Sequence, residues 1–428
     1  MAYRFVHAAD IHLDSPLKSL ALRDPALAEL IGTATRQAFS AVIDLCLDER
    51  VDALLLAGDL YDGEQTSMKT ARFLAGELRR LDEAGIRTFV IRGNHDALSK
   101  ITRELVLPAS VKLFGGWAEA VALEGVAGGL DIRVHGLSFA QPQAPDSFLP
   151  RYKAPVEGAV NIGLMHTSLG GHAAHDPYAP CSEAELGGSG FSYWALGHIH
   201  ARHAPRPATP RAASVVMPGI PQGRDINEAG PKSVTLVTVR DDRTLEIEER
   251  VTSVAQFERV RVDLGGVADW RGALDRLAGA LGAARDRTVS PQLVARLELV
   301  GATSFAWQIR RDADRMRAEA ALVAEGLGRT WIESLDLALT MPAAAAPADD
   351  AVAELAELIG TTILGSEGFR LGLGTVIEDL SRKLPRECRD AVLGADAGAS
   401  EAALARLFAE GAEDVLARLR EPAGAGPA

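Results

Sequence analysis

Apolar and polar positions over the first 245 residues or so fall into two kinds of stretch. "YRFVHAAD", "VDALLLAGD", "IRTFVIRGN", "AVNIGLMHT" and "SYWALGHIH" are short apolar runs with a polar end, the signature of strands covered on both faces. Between them, "ATRQAFSAVIDLCLDER" and "MKTARFLAGELRRLDEAG" repeat apolar residues at helical spacing. The second of these ends at Gly85, a residue suited to close a helix. This alternation predicts an α/β domain. "LEGVAGGLDIRVHGLSF" and "KSVTLVTVRDDRTLEIEERV" predict hairpins, the latter turning at Asp241-Asp242, and with them a second sheet.

The pattern changes near Ser253. "QFERVRVDL", "WRGALDRLAGALGAA", "QLVARLELVG", "IRRDADRMRAEAALVAEGLG" and "TWIESLDLAL" predict a small β-α-β-α-β module over about 253–340. "MPAAAAPADD" then reads as a linker, and the Ala-rich remainder as helices around 350–364, 374–384 and 400–420. Three segments follow: 1–250, 251–342 and 343–428.

A chain of 428 residues exceeds one typical core, which agrees with that division. Its formal charge of −13 argues against a free-standing non-specific DNA binder, whose affinity comes from neutralising phosphates. Any positive charge offered to a nucleic acid must come from bound metal, a local patch or a partner. Cys46, Cys181 and Cys388 form no CxxC pair and read as reduced thiols, so a thiolate zinc site is not expected. With no leader-like start and no apolar stretch of spanning length, the expected compartment is the cytoplasm, away from membranes.

The chemistry is concentrated at strand ends. The successive apolar runs close on Asp10-Ile11-His12, on Gly58-Asp59, on Gly93-Asn94-His95-Asp96, on His166, and on Gly197-His198-Ile199-His200. In an open α/β sheet the carboxyl ends of the strands meet at one crevice. Five tips carrying Asp, Asn or His therefore describe one cluster, with enough donors for two metal ions about 4 Å apart. Asp10 and His12 share a face and can grip one ion, whereas His198 and His200 can diverge to different ions. Asp59 can bridge, and Asn94 offers a neutral carbonyl oxygen. Two aspartates facing two divalent ions leave roughly +2 of charge, which attracts a phosphate and lowers the pKa of bound water.

This ordered set resembles that of the calcineurin-like metallophosphoesterases, whose fold is a β-sandwich flanked by helices. "HAADIHLDSPL", "GHAAHDPYAPC" and "MPGIPQGRDINEAGPK" look more narrowly like bacterial DNA-repair exonucleases of the SbcD/YhaO type, related to the nuclease subunit of the Mre-Rad complex. The likeness is strong over about residues 1–240, looser over 253–340 and weak beyond. It implies a phosphoesterase domain over 1–250, an accessory α/β capping domain over 251–342 and a linker with a helical tail, able to bind a partner, over 343–428. It also implies that Asp10, His12 and His200 hold one ion, Asn94, His166 and His198 the other, and that Asp59 bridges. His95 is similar to a non-ligand histidine that donates a proton to the leaving oxygen, with Asp96 beside it fixing its orientation. The implied activity is metal-dependent hydrolysis of DNA by a hydroxide that two ions activate, with manganese as the metal. The donor set alone asks only for a divalent ion that accepts nitrogen and oxygen. A coiled-coil ATPase partner is implied as well, and a homodimer is compatible with the likeness.

Two competing readings remain at this stage. One is a phosphomonoesterase, cyclic-nucleotide phosphodiesterase or protein phosphatase on the same fold. The other is a mainly structural subunit that binds DNA ends and docks an ATPase through the acidic tail, which has 15 acidic and 8 basic residues from Met341 onward. Arg202, Arg224 and Lys232 are candidate phosphate contacts, with Arg206 and Arg211 near Arg202 in sequence. Asp14 and Asp62 are expected to hydrogen-bond ligand histidines. His7 and His135 read as packed residues, and His172 and His175 as rim residues. Arg310, Arg311, Arg315 and Arg317 read as the salt-bridged face of one helix. The five scattered tryptophans form no stacking platform and read as core.

Overall fold

The computed structural model describes residues 2–15, 25–62, 67–97, 106–123, 129–170, 178–209, 211–340, 351–363 and 365–383, with isolated helical positions between 404 and 419. His172, His175, Cys388 and the linker expected at 342–347 lie outside the described residues. The chain parts into two compact units. The first comprises residues 1–259, 285–295 and 329–333, and the second comprises 260–284, 296–328 and 334–428.

In the first unit, β1 (Tyr3–Ala8), α1 (Pro25–Asp48), β2 (Ala53–Ala57), α2 (Met68–Glu83), β3 (Arg87–Ile91) and β4 (Val111–Leu113) follow one another. β5 (Glu119–Leu123), β6 (Ile132–Gly136), β7 (Val160–His166), α3 (Glu183–Gly187), β8 (Tyr193–Gly197) and β9 (Ser214–Val216) come next, and then the hairpin β10 (Ser233–Val239) and β11 (Leu245–Val251). They build two mixed sheets, of order β11-β10-β1-β2-β3-β4 and β5-β6-β7-β8-β9. Within each sheet the strands that carry the site are parallel, β1 to β3 in one and β7 to β8 in the other.

Every residue of β2 is buried because both of its faces are covered. Leu54 and Leu56 point towards α1 and α2, in a core with Phe39, Val42, Leu74 and Leu78. Leu55 points the other way, into a core with Phe89, Ile91, Ile162, Leu164 and Tyr193 that joins the two sheets. That second core makes the unit a β-sandwich. α2 closes before Gly85, whose φ of +75° is the left-handed geometry expected of that position. Both hairpins form where expected, β5 against β6 and β10 against β11. The three-residue strands β4 and β9 carry no signal in the sequence, since so short a run shows no alternation.

The second sheet system contains β12 (Ala255–Asp263), β13 (Gln292–Ala302) and β14 (Thr330–Thr340), in that order across the sheet. α4 (Trp270–Arg287), α5 (Ala306–Arg311) and α6 (Ala313–Leu327) complete the β-α-β-α-β module. The arginine-bearing segment expected as one helix is two, broken at Asp312. Its charges are paired as expected, Arg311 with Asp312 at 2.8 Å and Arg317 with Asp314 at 2.7 Å. In the tail, α7 (Ala351–Leu358) and α8 (Glu367–Lys383) are helical. No helix among the described residues is long and apolar enough to cross a membrane.

The tryptophans depart from expectation. Trp194 is fully buried, but Trp117 is 83% exposed. Trp270 and Trp307 carry arginine guanidinium groups on their faces, Arg315 and Arg311 respectively.

Candidate metal centre

The parallel strands of both sheets end at one edge of the sandwich, and glycine lets their tips close in. At Gly93 a Cβ would stand 2.1 Å from Asp59 Oδ1, and at Gly58 it would stand 2.5 Å from His166 Nδ1. Gly58 also has φ +97°, a conformation few side chains tolerate. Asp10, His12 and Asp59 themselves adopt φ of +53°, +45° and +52°. Such backbone persists only where its surroundings fix it, and it gathers at functional sites. Here the fixing bonds are Asp10 N to Gly58 O at 3.0 Å and His12 N to Asp59 O at 3.1 Å, which tie the first two tips together.

Two groups of donors converge. The ligand atoms of Asp10, His12 and His200 lie within 4.8 Å of one another, as do those of Asp59, His166 and His198. Asn94 joins the second group, its Oδ1 being 3.0 Å from His166 Nε2. All seven candidate ligands are thus brought to one edge.

The donor chemistry tests whether cations fit. His12 Nδ1 is 2.7 Å from Asp62 Oδ1, and His200 Nδ1 is 2.7 Å from Glu228 Oε1. An imidazole that donates Nδ1–H to a carboxylate presents a bare lone pair at Nε2. These two Nε2 atoms face each other at 3.2 Å. In the second group, His166 Nδ1 donates to Ala57 O at 2.9 Å, which turns its Nε2 lone pair towards Asn94 Oδ1 and, at 3.2 Å, Asp59 Oδ2. Acceptors converging on acceptors repel unless a proton or a metal cation stands among them. The residues fit two metal ions.

The electrostatics agree. Burial alone would raise the Asp62 and Glu228 carboxyls, but their bonds to His12 and His200 hold both well below the usual carboxylate range. Burial likewise opposes a charge on His166, yet the Asp59 carboxylate pushes its pKa up to about 9, so that without a metal a proton on Nε2 occupies the place among these acceptors that the ion would take.

Some expected roles move to other residues. Asp96 does not orient His95. It is fully buried, and its Oδ2 accepts from Leu60 N at 3.0 Å, tying the β2 tip to the β3 tip. Burial and then the nearby Asp59 charge raise its pKa to about 7. The carboxylate facing His95 is Asp62, 3.7 Å from Nδ1. Asp62 meets the expectation of bonding a ligand histidine, but Asp14 does not, since its carboxylate pairs with Arg36 at 2.5 Å and accepts from Thr70. His7 and His135 are buried and hydrogen-bonded as packed residues, to Tyr193 and Leu196 and to Asn161.

Among the candidate phosphate contacts, Arg224 reaches the centre. Its Nη2 is 2.7 Å from Glu228 Oε1 and 3.2 Å from His200 Nδ1. Arg202 is engaged elsewhere, donating to Thr235 Oγ1 at 2.7 Å and facing Glu249 at 3.6 Å. Lys232 is half-buried and donates to Ala229 O at 2.8 Å. Arg206 and Arg211 line a separate groove of about 650 Å³ with Glu183. Two residues escaped the sequence reading. Glu228 ends a short 3₁₀ turn with no periodicity to mark it, and the Tyr178 ring packs 4.9 Å from His198. A cleft of about 440 Å³ opens over the centre, lined by Asp59, Asn94, His95, Tyr178, His198 and His200.

Residues 3–202 match the family profile of calcineurin-like phosphoesterases. The chain carries a calcineurin-like metallophosphoesterase domain. Residues 257–340 match the middle domain of metallophosphoesterase YhaO. The Bacillus subtilis protein named uncharacterized metallophosphoesterase YhaO is 36% identical over 261 residues, 61% of this chain and 63% of that one. The DNA double-strand break repair protein Mre11 of Sulfurisphaera tokodaii is 28% identical over 205 residues, 46% of this chain and 49% of that one. The chain therefore spans between about half and two thirds of these relatives' length. Among solved structures, a dimetal phosphatase from Danio rerio is similar at 13% identity and a TM-score of 0.36, covering 58% of this chain and 96% of that one.

Proposed function

We propose that this chain is a two-metal phosphodiesterase acting on DNA, a repair-type exonuclease that works in the cytoplasm with manganese. The observation that carries the reading is the pair of facing histidine nitrogens, His12 and His200, beside a second convergent group built on Asp59. A phosphodiester oxygen is the anion such a centre attracts. The name of the archaeal relative, a DNA double-strand break repair protein, supports DNA as the substrate.

When bound, the two ions would supply Lewis acidity and a nucleophilic water of lowered pKa. Asp10, His12 and His200 would hold one ion and Asn94, His166 and His198 the other, with Asp59 available to both. Asp62 and Glu228 fix the tautomer and the aim of His12 and His200. His95 is half-exposed at the lip of the cleft, its ring 5.3 Å from that of His12. From there its imidazolium donates a proton to the departing 3′ oxygen as general acid. Arg224 neutralises Glu228 and holds it against His200.

The test is digestion of end-labelled duplex and single strands in Mn²⁺, Mg²⁺ and Zn²⁺, set against p-nitrophenyl phosphate and bis-p-nitrophenyl phosphate. Release of nucleotides from DNA ends and hydrolysis of the diester are expected. Hydrolysis of the monoester with no action on DNA would replace this reading by a phosphomonoesterase.

We infer in addition that the tail docks a coiled-coil ATPase. Leu358 on α7 and Val415 and Leu419 further along the tail are 49%, 52% and 52% exposed, apolar side chains that a partner helix could cover. Recovery of the ATPase should fall when residues 343–428 are removed, and unchanged recovery would end this part of the proposal.

A further inference from the structure

Trp117 is 83% exposed although indole is among the side chains that gain most from burial. Its place in the fold gives a reason. β4 runs parallel to β3, with Val90 opposite Leu113, so both strands end at the edge that carries the metal centre. Beyond β4 the chain makes the turn Gly115-Gly116-Trp117.

That turn is held firmly. Ser138 N donates to Gly115 O at 2.9 Å, and Ser138 Oγ accepts from Arg92 N at 2.9 Å. Arg151 Nη2 donates to Gly116 O at 2.9 Å, and its guanidinium lies on the Phe148 ring at 4.8 Å. Lys112 pairs with Glu119 across the turn at 2.6 Å. Arg92 stands two residues before Asn94, so a short bonded path through Arg92, Ser138 and Gly115 connects the indole to the metal centre. The path spans at most about 26 Å between Cα atoms, the reach of several nucleotides. Arg92 Nε has no hydrogen-bond partner among the described residues, and the exposed Arg151 guanidinium lies beside the turn.

We propose that Trp117 is a stacking site for an unpaired nucleobase, and that it guides a single-stranded DNA segment along this rim into the metal cleft. The inference deepens the phosphodiesterase reading and rests on it. A π-face accepts any base, and cationic groups beside it meet the backbone, the combination used by sequence-tolerant single-strand binders. A protein partner fits the surroundings less well. Gly115, Gly116, Ala118 and Glu119 beside the indole are half-buried, and Lys112, Glu119 and Arg151 are charged, so no contiguous apolar patch surrounds it.

The experiment measures binding of the metal-loaded full chain to a fluorescent phosphorothioate 20-mer of thymidylate, which resists cleavage, and to a blunt phosphorothioate duplex. Trp117→Ala should weaken binding of the single strand at least tenfold and binding of the duplex less than twofold. Trp117→Phe, which keeps a π-face, should lose less than threefold on the single strand. Equal single-strand affinity in Trp117→Ala would overturn the proposal, as would an equal loss on both DNAs. A lower sedimentation mass of that variant would instead assign the indole to contact with a second copy. Hydrolysis of bis-p-nitrophenyl phosphate by the wild-type chain is scored separately, so failure of the phosphodiesterase reading is distinguishable from failure of the stacking site.

Discussion

His12 and His200 meet nitrogen to nitrogen, their Nε2 atoms 3.2 Å apart, with Asp62 behind one ring and Glu228 behind the other. The two rings come from positions 188 residues apart and from different sheets of the sandwich. Each carboxylate takes the Nδ1 proton, so both lone pairs point into one space. Without a proton or a metal cation between them, the two lone pairs repel. The fold thus holds both rings in the orientation that a metal ion requires.

Replacing Glu228 by Gln removes the charge behind His200 while keeping its size. Affinity for one of the two ions should fall about 10- to 100-fold. Affinity for the other, held by Asp59, His166 and His198, should change little. Titration of chelator-treated protein with Zn²⁺ or Mn²⁺ by calorimetry separates the two steps. Equal weakening of both would show that the two groups do not act as separate sites.

Gly93→Ala places a methyl group 2.1 Å from Asp59 Oδ1 and 2.8 Å from His166 Cε1, so the β2 and β3 tips must separate. The expected outcome is loss of the ion held by the Asp59 group and destabilisation of about 1–3 kcal/mol. Gly32→Ala on α1 provides the contrast, since nothing lies within 4 Å of the added carbon. That change should stabilise by up to about 1 kcal/mol. Elemental analysis and denaturant melts check both.

The convergence of the seven donors was legible because each follows an apolar run and three follow a glycine. Strand ends of parallel sheets share an edge, so position along the chain translated directly into position in space. Direction of a side chain in a loop did not translate. Asp14, Asp62 and Asp96 all lie within a few residues of a donor, yet one meets Arg36, one meets His12, and one is buried under Leu60. Only the tertiary path of the loop decides among them. Glu228 arrives from a 3₁₀ turn 28 residues beyond His200, with no pattern to announce it. Trp117 reads as core in the sequence because hydrophobicity alone carries no information about which indoles a fold leaves outside.

His95 is the half-exposed histidine of the cluster; its backbone N donates to Asp59 Oδ1 at 3.0 Å, but the Asp62 carboxylate that faces its ring is 3.7 Å away, beyond hydrogen-bond reach. A proton donor in this place should matter to the reaction and not to the metals. His95→Asn is therefore expected to lower DNA cleavage about 10²- to 10⁴-fold with two ions still bound. Metal analysis beside single-turnover digestion decides the matter. A missing ion in the variant would reassign His95 as a ligand.

His7 gives the fold an acid sensitivity unconnected with catalysis. Its Nε2 donates to Leu196 O at 3.0 Å, so its Nδ1 must accept from the Tyr193 hydroxyl, also at 3.0 Å, and the ring is neutral. Burial pushes its pKa down to about 3, and the positive Arg202 adds to the effect. The unfolded chain binds a proton here near pH 6.5 and the folded chain does not. The stability this ring contributes is therefore complete above pH 6.5 and is lost progressively as pH falls from there towards 3. Between pH 7 and 5 the loss should be about 2 kcal/mol. Urea melts of chelator-treated protein at the two pH values, compared with His7→Gln, isolate it. The variant should start less stable and lose about 2 kcal/mol less over the same interval, and parallel losses in the two proteins would show that His7 charges freely in the folded state.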